Sequence, residues 1–152
     1  MTVLTKAEAD CLLAELDPYV DTEAEREALG RKAFTKFVTE IPGFGENFCT
    51  TGVTDINDIL QSDAAIETAL QTIEEFVNLI NISPDIEKMA EFLTEYAETK
   101  AMKLMSKELY VTAEPVFVEF YKSIVNSAEN QDAIERLMRH AFETVRNCLD
   151  GN

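Results

Sequence analysis

The sequence predicts an all-α fold of six to eight helices, and three observations carry that prediction. Apolar residues recur at helical spacing in every long segment. Serine or threonine stands before several of those segments, twice with glutamate three positions later, at Thr5-Glu8 and Thr22-Glu25. No segment sustains a two-residue alternation, and no Asn-Gly or Asp-Gly hairpin signal occurs.

The elements follow in order. Thr5 opens a first helix expected to end near Asp17-Pro18. Thr22 opens a longer one with Ala28, Leu29, Ala33, Phe34, Phe37 and Val38 inward. Pro42 starts a short helical turn, and Gly43, Gly45 and Gly52 mark an irregular stretch to about Asp55. Ser62 is placed to cap a helix with Asp63 in its first turn and a stripe through Ile66, Ala69, Leu70, Ile73, Phe76, Val77 and Ile80. Ser83-Pro84 opens the next, with Met89, Phe92, Leu93 and Tyr96 on one face. Thr112 precedes a helix carrying Phe117, Phe120, Tyr121, Ile124 and Val125. The last runs from about Ala128 to Leu149, with Gly151 beyond it.

The chain of 152 residues suits one domain, 1–152, and no linker or repeat divides it. Its 29 acidic and 13 basic side chains give a formal charge of −16, which repels phosphate backbones and anionic lipid, so nucleic-acid and membrane partners are disfavoured. The first ten residues lack the basic start and apolar run of a secretory signal, and no stretch is apolar enough to span a membrane. Cys11, Cys49 and Cys148 are odd in number and far apart, which reads as reduced thiols in a cytoplasmic protein.

Most catalytic templates fail for want of residues. The single histidine, His140, excludes Ser-His-Asp, Cys-His and paired-histidine metal sites, and no glycine-rich phosphate loop exists. Asp55-Ile-Asn-Asp58 lacks the glycine and closing glutamate of a calcium loop and reads as a solvated helix start. Pairs such as Glu74-Glu75 belong to a solvated acidic face. The chain is therefore not expected to be an enzyme. One oddity remains, because the inward stripe Phe92, Leu93, Tyr96 extends by four residues onto Lys100. Either Lys100 faces inward, or Ala97 and Ala101 carry the inward contact while Lys100 snorkels to the surface.

The helix order, with Pro42 starting the short third helix and Phe48 six positions later, resembles the globin fold. The closer resemblance is to flatworm (trematode) haemoglobins and covers nearly the whole chain. It runs through Leu4-Thr5-Lys6, Leu12-Leu13, Glu15-Leu16, Pro18 and Val20-Asp21-Thr22, continues at Gln61-Ser62 and Glu114-Pro115-x-Phe117, and ends around His140-x-Phe142. The resemblance implies a haem cofactor, with Phe48 stacking on it. It also puts the iron-ligating position on Lys100, and the two distal tyrosine positions on Phe34 and Thr68. Only Phe48 keeps the family's residue among these four.

The departures change the expected chemistry. Phe34 has no hydrogen-bond donor and Thr68 has a shorter reach than tyrosine, so oxygen held by donors worth roughly 1 kcal/mol each should be held less tightly. A lysine ligand must first lose a proton, which costs on the order of 4–5 kcal/mol at neutral pH from a reference pKa of about 10.4. Two functions follow from the resemblance: a haem-binding globin that carries a small gas or sequesters haem, and a haem-free globin-fold module whose pocket takes another apolar ligand.

Overall fold

The computed structural model describes residues 3–41, 63–102 and 107–150. Within them lie six helices: α1 Lys6–Val20, α2 Glu23–Glu40, α3 Asp63–Ile82, α4 Ile86–Met102, α5 Lys107–Ile124 and α6 Ala128–Asp150, with no strand among the described residues. The all-α reading holds. Pro42, Phe48, the glycine-marked stretch, Asp55–Asp58, Cys49 and Ser62 lie outside the described residues.

Both capping boxes form. Thr5 Oγ1 accepts from the Glu8 amide at 3.1 Å while the Glu8 carboxylate accepts from the Thr5 amide at 2.9 Å. Thr22 and Glu25 repeat the exchange at 3.1 and 3.3 Å. Each satisfies two amides that the first helical turn would otherwise leave unpaired.

Three helix boundaries differ from expectation. α1 continues through Pro18 to Val20, because proline forgoes only its own amide bond, and the ladder resumes when the Asp21 amide donates to the Asp17 carbonyl at 3.0 Å. α4 is capped by Asp85, whose Oδ1 accepts from the Glu87 and Lys88 amides at 3.1 and 3.2 Å. Ser83, expected to stand at this start, is buried and donates its hydroxyl to the Ile80 carbonyl instead. α5 begins five residues before Thr112, whose hydroxyl donates to the Glu108 carbonyl. Buried Tyr110 and partly buried Leu109 extend the apolar face in that direction, and Pro115 gives up one bond, on the side of exposed Val111.

The helices share one core. α2 packs on α3, α5 on α6, and α4 on α6, while α1 lies across α2, α3 and α6. The inward set of α6, Ile134, Leu137, Met138, Ala141, Phe142 and Val145, is buried as its spacing predicts. On α3 the centre of the buried stripe is Ala65, Ala69, Ile73, Phe76 and Ile80, so Ile66, Leu70 and Val77 flank it. Ala28, expected inward on α2, is exposed.

α1 is fastened to α6 by two acidic side chains. Arg136 reaches the Glu8 carboxylate and also Asp132, at 2.9 Å. Glu15 accepts from the Asn126 amide at 2.5 Å, from the Ser127 amide at 3.4 Å and from Asn130 Nδ2 at 2.7 Å, which caps α6 from a different helix. The Arg136 guanidinium and the Thr5 amide hold the Glu8 carboxyl at about 2 instead of 4.5. A carboxylate whose folded pKa is lowered contributes stability above its unfolded value, and that contribution fades as pH falls from about 4.5 towards 2. Glu8→Gln keeps the capping box but loses the charge, so melting temperature at pH 7 should fall by about 1–3 °C and the loss on acidification should become shallower. Melting curves from pH 7 to pH 2 read both effects. An unchanged acid limb would mean that the ion pair contributes nothing.

Candidate functional site

A crevice of about 110 Å³ lies between α3, α4, α5 and α6. From α3 it is lined by Thr68, Gln71, Thr72, Glu75, Phe76 and Leu79, and from α4 by Phe92, Leu93 and Tyr96. Gln71 is exposed and Thr68 only partly buried, so the crevice reaches the surface along α3. Its inner end is built by α5 and α6, where Phe117, Tyr121 and Phe142 stand.

Aromatic rings form the walls. Phe76 stacks on Tyr121 with centroids 3.8 Å apart and planes 15° apart, and Phe117 meets Phe142 edge-on at 5.1 Å. Phe117 also stacks on Phe37 of α2 at 3.8 Å, which ties the crevice wall to the core behind it. Such walls suit a flat apolar ligand.

Polar groups enter at one place. Tyr96 of α4 and Tyr110 of α5 hydrogen-bond through their hydroxyls, with Glu75 of α3 close enough to act on both electrostatically. Burial pushes both phenols up, and the Glu75 charge pushes them further in the same direction. Tyr121 is raised as well, again chiefly by burial. All three therefore remain protonated at neutral pH. The spacing of Tyr96 marks it as inward, but its pairing with Tyr110 was not legible, because the expected start of α5 at Thr112 left Tyr110 outside the helix.

The residues singled out from the sequence fall in different places. Thr68 lines the crevice. Phe34 is buried on α2 and is not among the side chains lining it. Lys100 lies in α4, and its side chain, like the whole of Phe48, lies outside the described residues. His140 is partly buried on α6 and does not line the crevice. Among the described residues no group of three or more histidine, cysteine or acidic side chains could hold a metal ion, and no helix is long and apolar enough to cross a membrane. Cys11 is an exposed free thiol.

The chain matches no family model. It is 30% identical over 149 residues to a globin of Isoparorchis hypselobagri, covering 97% of this chain and 99% of that protein. It is 24% identical to a globin of Dicrocoelium dendriticum, over 93% of each chain. Its fold superposes on ferric Aplysia limacina myoglobin with a TM-score of 0.80 and 17% identity, over 95% of this chain and 98% of that one. Near-complete coverage at 30% identity, on a helical arrangement of the same fold, means that this chain belongs to the globin family.

Proposed function

We propose that this chain is a single-domain, haem-binding globin, 1–152, that takes haem in the crevice between α3 and α4 and either carries a small gas or sequesters haem. Haem would supply an iron centre able to bind a small gas. The observation that carries the reading is an aromatic-walled crevice bordered by the helix face that leads to position 100. On that face Met89, Leu93 and Ala97 are buried, and Phe92 and Tyr96 partly so. At about 100° per residue, position 100 falls roughly 20° from the direction of Met89, near the middle of the stripe.

The residues present fit haem in chemistry, with one steric demand. Phe92, Leu93 and Phe142 would hold the flat apolar ring, and Thr68 would offer a hydroxyl on the α3 side. A crevice of about 110 Å³ is smaller than the roughly 300 Å³ at the lower end of drug-sized sites, so the ring enters only if lining side chains move apart. Lys100 is proposed as the nitrogen donor to iron, a role open only to its neutral form. The reading is of a binding protein and not of an enzyme.

The experiment is a haemin titration of the wild type, Lys100→His and Lys100→Ala at several pH values. If Lys100 must lose its proton, wild-type affinity should rise about tenfold per pH unit above neutrality. Histidine, with a reference pKa near 6.5, should remove most of that slope. Identical spectra and affinities in all three would show that Lys100 is no ligand. Binding by Lys100→His alone would favour the second reading, a globin-fold module without haem whose crevice takes a smaller apolar ligand. The small volume and the hydrogen-bonded tyrosines support that second reading.

A further inference from the structure

We propose that the hydrogen-bonded pair Tyr96–Tyr110 is a latch tying α4 to α5 across the crevice, and that a large flat ligand enters only after this pair has parted. The inference rests on the crevice being the chain's ligand site, as proposed above.

Helix packing leaves this link to side chains. α4 packs on α6 and more lightly on α3, while α5 packs on α6 and α2. Among the described residues the backbones of α4 and α5 form no such packed pair, yet both helices line the same crevice. The hydroxyls of Tyr96 and Tyr110 join them there.

The two partners are held to different degrees. Tyr110 is buried and meets Phe142 of α6 edge-on at 6.0 Å, which anchors it to the packed α5–α6 pair. Tyr96 is only partly buried, and it stacks at 6.4 Å on Phe92, a partly buried neighbour one turn away on its own helix. Tyr96 is therefore the freer member to turn away, and the hydroxyl bond opposes that turn.

The bond sets the size of the effect. A crevice of about 110 Å³ is too small for a haem-sized ring while closed, so apparent affinity is that of the open form multiplied by the fraction of chains open. A neutral hydrogen bond made only in the closed form lowers that fraction about fivefold. Losing the bond should therefore strengthen binding by speeding association. Losing a ligand contact would instead weaken binding by speeding dissociation.

The test is stopped-flow association and dissociation of haemin, and of the neutral planar dye Nile red, on the full haem-free chain. Wild type, Tyr96→Phe, Tyr110→Phe and the double variant are compared. Each single variant should take up either ring about fivefold faster with dissociation unchanged. The double variant should gain no more than the singles, because both substitutions remove the same bond. The latch is overturned if neither ring gains, if haemin binds every chain at one rate, if dissociation changes instead of association, or if the gains multiply in the double variant. Haemin bound at one rate throughout leaves the haem reading standing. If haemin binds no chain while Nile red gains as expected, the haem reading falls and the latch stands.

Discussion

Replacing Phe37 with alanine should cost about 3–5 kcal/mol of stability and lower the melting temperature by roughly 10 °C. Phe37 is 1% exposed, stacks on Phe117 at 3.8 Å with planes 5° apart, and meets Phe120 edge-on at 5.8 Å. The substitution removes a whole ring from the junction of α2 and α5, where the neighbours are rings that cannot collapse far into the gap. Phe37→Leu should recover much of the loss by refilling volume without the stacked contact. Thermal melts followed by circular dichroism measure both. A loss below about 1 kcal/mol for the alanine variant would mean that the stack is not part of the stable core. Because Phe117 also lines the crevice, the same variant should loosen ligand binding there.

Gly30→Ala is the second large effect, and its sign runs against helix propensity. Alanine in a helix interior is ordinarily favoured over glycine by about 1 kcal/mol. At this position a Cβ would stand 2.6 Å from the Ala69 carbonyl oxygen and 2.8 Å from the Ala69 carbonyl carbon. Those are backbone atoms of α3, so relief requires the two helices to separate, and overpacking of this kind costs typically 1–3 kcal/mol. The variant should therefore melt about 2–8 °C below the wild type. Gly30→Val should fall further. A Gly30→Ala protein that melts higher than the wild type would show that α2 and α3 do not cross in direct contact at this point.

The sequence by itself determined the features that depend on residues three or four positions apart. The Thr5–Glu8 and Thr22–Glu25 capping boxes, the buried face of α6 and the all-helical class all follow from such spacing, because one helical turn is closed by local bonds. The same arithmetic singled out position 100 on the face of Met89 and Leu93. Tertiary structure decided the rest. Gly30 reads as a weak point in a helix until Ala69 is found against it. Glu15 is one acid among 29 until it caps a helix whose start lies far along the chain. α1 passes through Pro18 because the backbone ladder resumes beyond it, and α5 begins before Thr112 because burial of Tyr110 outweighs the one backbone bond lost at Pro115. Tyr96 and Tyr110 come together only when α4 and α5 are folded beside Glu75, and that meeting gives the crevice its polar end. Local bonding rules leave marks at fixed sequence intervals, whereas contacts between helices depend on crossing positions that no interval encodes.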